Sequence, residues 1–246
     1  MSIYVITHKE FNDYLKTPTY KPLLVGANKN SGPNHYLKDN SIEDNISNKN
    51  ESFCELTGQY WIWKSSKDDV IGLCHYRRYF TKNSKFFSKS FVPSETEILD
   101  FLSKYDIILP VKRQFNKDGQ SAKEFFYNFH DPEVWEKCRE LIRNNCPEYL
   151  SSFEWFENEK EGYCYNMLIS NREIFDNYSK WLFDILFELE KNVDLSKYDN
   201  YNKRMIGFVS ERLINVWVHK NQLSVKELPV VFTESDLKIK KLLKNL

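Results

Sequence analysis

The stretch "VIGLCHYRRYF", Val70 to Phe80, starts as an apolar run and ends in His75, Tyr76, Arg77 and Arg78. A short apolar run bounded by turn signals reads as a buried strand, and Asp68-Asp69 supplies the turn before this one. The same signature recurs along the chain. "SIYVITHK" closes on Thr7-His8-Lys9, "KPLLVGANKN" on Gly26-Ala27-Asn28, "YDIILPVKR" on Val111-Lys112-Arg113, and "GYCYNMLIS" on Ser170-Asn171-Arg172. Each is apolar until its carboxyl end and then turns polar or basic.

Helical patterns separate these runs. "NESFCELTGQYWIWKSS" has Phe53, Leu56, Tyr60 and Trp63 at helical spacing, which reads Trp61 and Trp63 as core rather than as sugar platforms. In "PSETEILDFLSK", Ser94 followed by Glu97 is a capping box. Residues 121–161 read as helical and aromatic, and "NREIFDNYSKWLFDILFELEKN" and "KRMIGFVSERLINVWVHK" as two long helices. "SVKELPVVF" closes the set as a strand or extended segment. Strands separated by helices predict an α/β fold with a largely parallel central sheet flanked by helices. The expected organisation is one domain over 1–235 with a helical, aromatic-rich insertion at about 121–161, followed by a basic amphipathic tail at 236–246. Residues 28–50, rich in Asn, Asp, Ser and Gly, read as a long loop, a type that is usually functional or disordered.

Composition narrows the function. The chain has 246 residues, enough for one sizeable core. Lys+Arg and Asp+Glu both number 35, so a broadly cationic nucleic-acid coat is excluded and any basic site must be local. Five cysteines without a C-x-x-C read as reduced thiols in a cytosolic protein. No apolar run approaches the ~20 residues that span a bilayer, which leaves a cytoplasmic protein or one peripheral to the inner face of the cell membrane. The tail "ESDLKIKKLLKNL" can either lie on an anionic bilayer or dock on the body.

In open α/β sheets the ligand crevice lies outside the carboxyl ends of the strands. The polar ends of these runs therefore converge on one basic rim in a neutral protein, which suits an anionic small molecule such as a diphosphate. Arginine offers a planar fork for phosphate oxygens that lysine cannot. Neighbours on a strand face opposite ways, so one of Arg77 and Arg78 is expected to reach the ligand. P-loop and dinucleotide glycine motifs, the G-x-S-x-G elbow and Asp-X-Asp are all missing, as is any H-x-x-x-H.

With the blocks "IYVITHK", "DNIS..N...CELT..YWIWK", "GLCHYRRYF", "NMLI", "WLFDILFELE" and "GFVSERL", nearly the whole chain resembles a family of bacterial capsular and exopolysaccharide glycosyltransferases catalogued as domain of unknown function 4422. The resemblance implies a GT-A-like fold and a UDP-sugar donor, with galactofuranose a candidate sugar. It also implies an undecaprenyl-diphosphate-linked oligosaccharide as acceptor, in capsule, exopolysaccharide or O-antigen synthesis, and peripheral contact with the membrane.

Where many such enzymes carry a metal-binding Asp-X-Asp, this chain has His75-Tyr76-Arg77-Arg78. The expectation is a metal-independent site in which His75, Arg77 and Arg78 neutralise the departing diphosphate, with Mn²⁺ or Mg²⁺ held by carboxylates such as Asp44 or Glu161 as the alternative. Thr7, His8, Lys9, Gly26, Ala27 and Arg78 are the nucleotide-binding candidates. Asp44, Asn45, Asn50, Tyr76 and Asn166 are the sugar-binding ones, though Asn50 also reads as a helix N-cap. Inverting transfer needs a base for the acceptor hydroxyl. Glu211 in "GFVSERL" is the first candidate, with Glu161 and Asp131 behind it, and Glu55 is expected to orient His75 or an arginine. The competing expectation is a non-catalytic carbohydrate-binding or assembly subunit of the same fold.

Overall fold

The computed structural model describes residues 1–83, 88–116 and 118–233; the expected 236–246 tail lies outside the described residues. From the amino end come β1 (Ser2–Thr7), β2 (Tyr20–Leu24) and β3 (Leu37–Lys38), then α1 (Asn50–Phe53), α2 (Leu56–Ser65), β4 (Val70–His75) and β5 (Arg78–Phe80). Next are α3 (Glu95–Leu102), β6 (Ile107–Pro110) and β7 (Arg113–Gln114). The helices α4 (Ala122–Phe129), α5 (Pro132–Asn145) and α6 (Leu150–Glu157) lead to β8 (Glu161–Gly162) and β9 (Leu168–Asn171). The chain continues through α7 (Arg172–Asn192), α8 (Met205–Lys220), β10 (Val225–Leu228) and β11 (Val230–Phe232).

The main sheet has the order β10-β6-β9-β4-β1-β2-β3, with β5 and β11 added beside β4. Pairs β1–β2, β1–β4, β2–β3 and β6–β10 are parallel. This is the mixed α/β architecture with a mostly parallel, helix-flanked sheet expected from the apolar runs. Every residue of β1 is buried because both faces of the sheet are covered. Alternation sorts the side chains: Tyr4 and Ile6 face the layer built on α2, α7 and α8, while Ile3 and Val5 face the smaller layer around Ile98 of α3. A Cβ on Gly58 of α2 would stand 2.8 Å from Ile6 Cδ1 and Val25 Cγ1, so the missing side chain is what lets that helix lie on the sheet.

The start signal read at Ser94 acts as expected, and a second one appears at Asn171. Ser94 and Glu97 form their capping box at α3, and Asn171 Oδ1 accepts the Ile174 N–H at 3.0 Å to open α7.

Several expectations need correction. The segment "GYCYNMLIS" is not one strand but β8 and β9, separated by Tyr165 and Asn166 at φ +80° and +48°. β9 runs antiparallel to both β4 and β6, with Val70 opposite Asn171. Ser170-Asn171-Arg172 therefore lies at the entry end of β4, on the rim away from His75, where Arg172 pairs with Asp176 at 3.7 Å. The helix expected from Asn50 breaks at Cys54, whose φ of +52° ends α1. Asn50 is its first residue rather than its N-cap. Finally, "GLCHYRRYF" is a hairpin: His75 pairs with Arg78 across a two-residue Tyr76-Arg77 turn.

Candidate active site

β1 and β4 end side by side, with Ile6 opposite His75 and the Tyr76 N–H on the Ile6 carbonyl at 3.0 Å. Outside their carboxyl ends opens a cavity of about 540 Å³, where an open α/β sheet places a ligand. Its floor is Thr7, His8 and the hairpin residues His75 to Arg78. One wall comes from Asn50 to Glu55, and the other from Tyr201 and Arg204 before α8 with Phe208 and Glu211 in its first turns. Two segments more than a hundred residues apart thus close over the strand ends. By contrast, in the depression of about 270 Å³ near Lys49 and Lys203, both cations are paired, with Glu190 and Glu51.

The hairpin sets the cations. Because Arg77 sits in the turn rather than on a strand, both arginines line the cleft, not one of them. The Arg78 guanidinium lies 4.7 Å from the Tyr165 ring centre and 5.5 Å from that of Phe232, and that of Arg77 lies 4.9 Å from Tyr76. Stacking of this kind fixes the plane of the Arg78 fork while leaving its N–H edge for a ligand. Arg204 stands over Phe208 at 5.2 Å with its Nε on Cys54 Sγ at 3.3 Å. Among the described residues, neither Arg78 nor Arg204 has a carboxylate partner within 4.0 Å.

His75 belongs to the cleft but not to its positive charge. Its Nε2 is 2.7 Å from the Tyr165 carbonyl oxygen. A carbonyl only accepts, so Nε2 carries the hydrogen and Nδ1 is left as the acceptor. Burial, reinforced by the Arg78 charge, pushes the imidazole down to about 4, which makes it neutral at pH 7. The expectation that it helps neutralise the diphosphate therefore does not hold. The His8 imidazole is likewise held below its usual range, by burial and then by Lys9, Arg77 and Arg204, and its ring meets Tyr76 edge-on at 5.5 Å.

Glu211 is the carboxylate that the cleft leaves uncommitted: among the described residues its side chain makes no hydrogen bond or ion pair. Burial raises its pKa, with Glu55 adding to the rise and Arg212, Arg78 and His75 opposing it. A carboxylate perturbed in this way inside a cleft is a functional candidate. Glu55, across the cleft, accepts from Asn166 Nδ2 at 2.8 Å. The Asn166 side chain is buried, with its amide also toward Gly207 O at 3.3 Å and its Oδ1 accepting from Ser210 Oγ at 2.7 Å. Its polar atoms are thus engaged within the protein, so it holds Glu55 rather than a sugar.

The remaining candidates divide. Thr7 and His8 line the cleft, although the Thr7 hydroxyl donates to its own loop at Lys9 O, 2.5 Å away. The Lys9 ammonium lies 5.8 Å from the Tyr76 ring. The backbone N–H groups of Gly26 and Ala27 are already given to the buried Asp39, at 2.7 and 3.0 Å, and Ser47 Oγ donates to the same carboxylate. Asp39 is therefore the anchor of the 28–50 segment, which carries β3 and a short 3₁₀ turn at Ser47–Lys49. Gly26 instead faces a side cavity of about 250 Å³ that shares Asn50 and Glu51 with the cleft.

Asn50 donates to Cys54 O at 2.6 Å. Asn45 caps its own loop through Ile42 O and Ser47 N, and exposed Asp44 binds Tyr60 and Lys64. Glu161 and Asp131 stand outside the cleft, Asp131 as the N-cap of α5 with Tyr198 on its carboxylate. Trp61 and Trp63 are core: the first gives its indole N–H to Ser41 and the second stacks on Phe183 at 5.9 Å. Among the described residues, no three His, Cys, Asp or Glu side chains cluster so as to hold a metal ion, and no helix is long and apolar enough to cross a membrane.

Comparison with known proteins bears on the family and the fold. The family described as domain of unknown function (DUF4422) matches residues 2–222, and the chain belongs to it. Among solved structures, the chain is similar to the apo structure of the bifunctional glycosyltransferase WbbM, at 30% sequence identity and a TM-score of 0.84 over 94% of this chain. It spans 45% of that protein's length. No curated protein matches it.

Proposed function

We propose that this member of the family is a glycosyltransferase that moves a sugar from a UDP-sugar to a lipid-linked saccharide acceptor, with inversion at the anomeric carbon and without a metal. The observation that carries this reading is the cleft outside β1 and β4, which Arg77, Arg78 and Arg204 line together with the uncommitted carboxylate of Glu211. The likeness to a glycosyltransferase structure supports it. Galactofuranose is the proposed sugar, on the resemblance stated above, and capsule, exopolysaccharide or O-antigen synthesis the setting, at the cytoplasmic face of the membrane.

In this reading the three guanidinium groups bind the diphosphate. As the bond from the anomeric carbon to the β-phosphate oxygen breaks, its electron pair leaves with UDP and the growing negative charge falls on preorganised N–H donors. One such donor is worth roughly 3–4 kcal/mol of barrier in comparable sites. The acceptor hydroxyl attacks from the opposite face of the sugar, and Glu211 takes its proton. A carboxylate raised above its ordinary range is a better base near neutral pH than an ordinary one. His75, neutral and tethered to Tyr165, offers Nδ1 as a hydrogen-bond acceptor for a donor hydroxyl.

Calorimetric titration of UDP into the protein, first with EDTA and then with Mn²⁺, tests the reading. Binding that survives EDTA and weakens in Arg78→Ala and Arg204→Ala is expected. Binding that appears only with Mn²⁺ would overturn the metal-free site, and no UDP binding under either condition would overturn the donor assignment.

A further inference from the structure

Two consecutive non-glycine residues in the left-handed region, Tyr165 and Asn166, are strained and persist where surrounding structure over-determines them. Here the turn before β9 holds three cleft groups at once. The Tyr165 carbonyl fixes His75, its ring carries Arg78, and the Asn166 amide reaches Glu55. Asn166 is also tied to Gly207 O and Ser210 Oγ of α8, and Ser210 immediately precedes Glu211. One side chain therefore links Glu55 on the α1–α2 connection to the turn of α8 that presents Glu211.

We propose that Glu55 and Glu211 act as one coupled carboxylate pair, with Asn166 as the positioning residue that fixes Glu55 against α8 so that Glu211 is the member of the pair that exchanges a proton. Both carboxylates line the same cleft, and interacting carboxylates do not release protons independently. The Asn166 amide donates to Glu55 at 2.8 Å. Glu211 makes no such bond among the described residues, so the asymmetry between the two is built by the Asn166 side chain. The groups facing Glu211 are Arg212 on its own helix, Glu55 and Cys54 on the opposite wall, His75 and Arg78 on the hairpin, and Cys164 before the turn. Among the described residues, Glu55 is the carboxylate that opposes its ionisation. The inference deepens the proposed function by stating how its base is tuned, and it rests on that reading only for the word base.

The experiment follows the ¹³C carboxylate resonance of Glu211 with pH in protein labelled at glutamate, assigned by its loss in Glu211→Gln, without substrate. In Glu55→Gln, which keeps an acceptor for Asn166, the Glu211 midpoint should fall by roughly one pH unit, the scale of coupling that defines such a pair. In Asn166→Gly, which tolerates the backbone conformation, the midpoint should fall as well, because Glu55 is no longer held against α8. A Glu211 midpoint unmoved in both variants would overturn the pair. If the midpoint moves while Glu211→Gln retains full transferase activity, the pair stands and the base assignment of the proposed function fails.

Discussion

His75 Nε2 lies 2.7 Å from the carbonyl oxygen of Tyr165, which commits the imidazole to one tautomer. Burial and Arg78 hold its pKa at about 4 against an ordinary 6.5. Between those values the unfolded chain binds a proton that the native chain refuses. Stability is therefore lost as pH falls from about 6.5 towards 4 and levels off below. From pH 7 to pH 5 this group accounts for at most ~2 kcal/mol. Urea unfolding at both pH values should show a shallower loss in His75→Gln, whose amide can still donate to Tyr165; equal slopes would place the proton elsewhere.

Arg78 is held by rings on one side and has no carboxylate partner among the described residues. Its loss should cost charge-assisted hydrogen bonds to the diphosphate, each worth about 1.5–3 kcal/mol, or roughly 10- to 100-fold in affinity for UDP. Arg78→Lys keeps the charge but not the planar fork, so its Kd should fall between wild type and Arg78→Ala. A lysine variant equal to wild type would reduce the role to charge alone.

Glu211→Gln keeps the shape of the side chain and removes the base. Turnover of UDP-sugar with acceptor should fall by about 10²- to 10⁴-fold. UDP affinity should hold or rise, because a negative charge facing the diphosphate is gone. Parallel loss of both would mean that Glu211 shapes the pocket rather than moves a proton.

Gly26 sits at φ +61°, and a Cβ there would lie 2.6 Å from Asn50 Oδ1 and 2.8 Å from Asn30 Nδ2. Gly26→Ala should destabilise the protein by on the order of 1–3 kcal/mol in urea unfolding. Adding Asn50→Ala should recover the part due to the clash and leave the part due to the backbone. Full recovery would show that crowding, not conformation, makes the glycine necessary.

How much could be read in advance follows from which interactions are local. β1, β4 and β6 were legible because a strand buried on both faces is a continuous apolar run, and the rim followed from their polar exits. The direction of β9 was not legible, since an apolar run has no arrow; its pairing is set by distant neighbours. The same holds for Arg204, Phe208 and Tyr201, which reach the cleft from helix α8 and the segment before it. Asn166 looked like a ligand amide because an amide reads alike whether it meets a sugar or a buried glutamate. Asp39 carried no signal among the other polar residues of its loop, and only the closed bracket with Gly26, Ala27 and Ser47 gives it a role. Glu55 and Glu211 were found, but the link between them is a tertiary contact.

The Tyr76-Arg77 turn is secured at both ends: the Tyr76 N–H is taken by Ile6, and the Arg77 carbonyl accepts from Thr233 N at 3.1 Å. A two-residue connection between paired strands fixes register absolutely, and one added residue would rotate every following side chain to the other face of the sheet. Lengthening the turn by a single residue would carry Arg78 out of the cleft and bring Tyr79, now fully buried, towards it. The spacing of this hairpin is thus as restrictive as the identity of its arginines, and variation in length can be absorbed only elsewhere around the cleft.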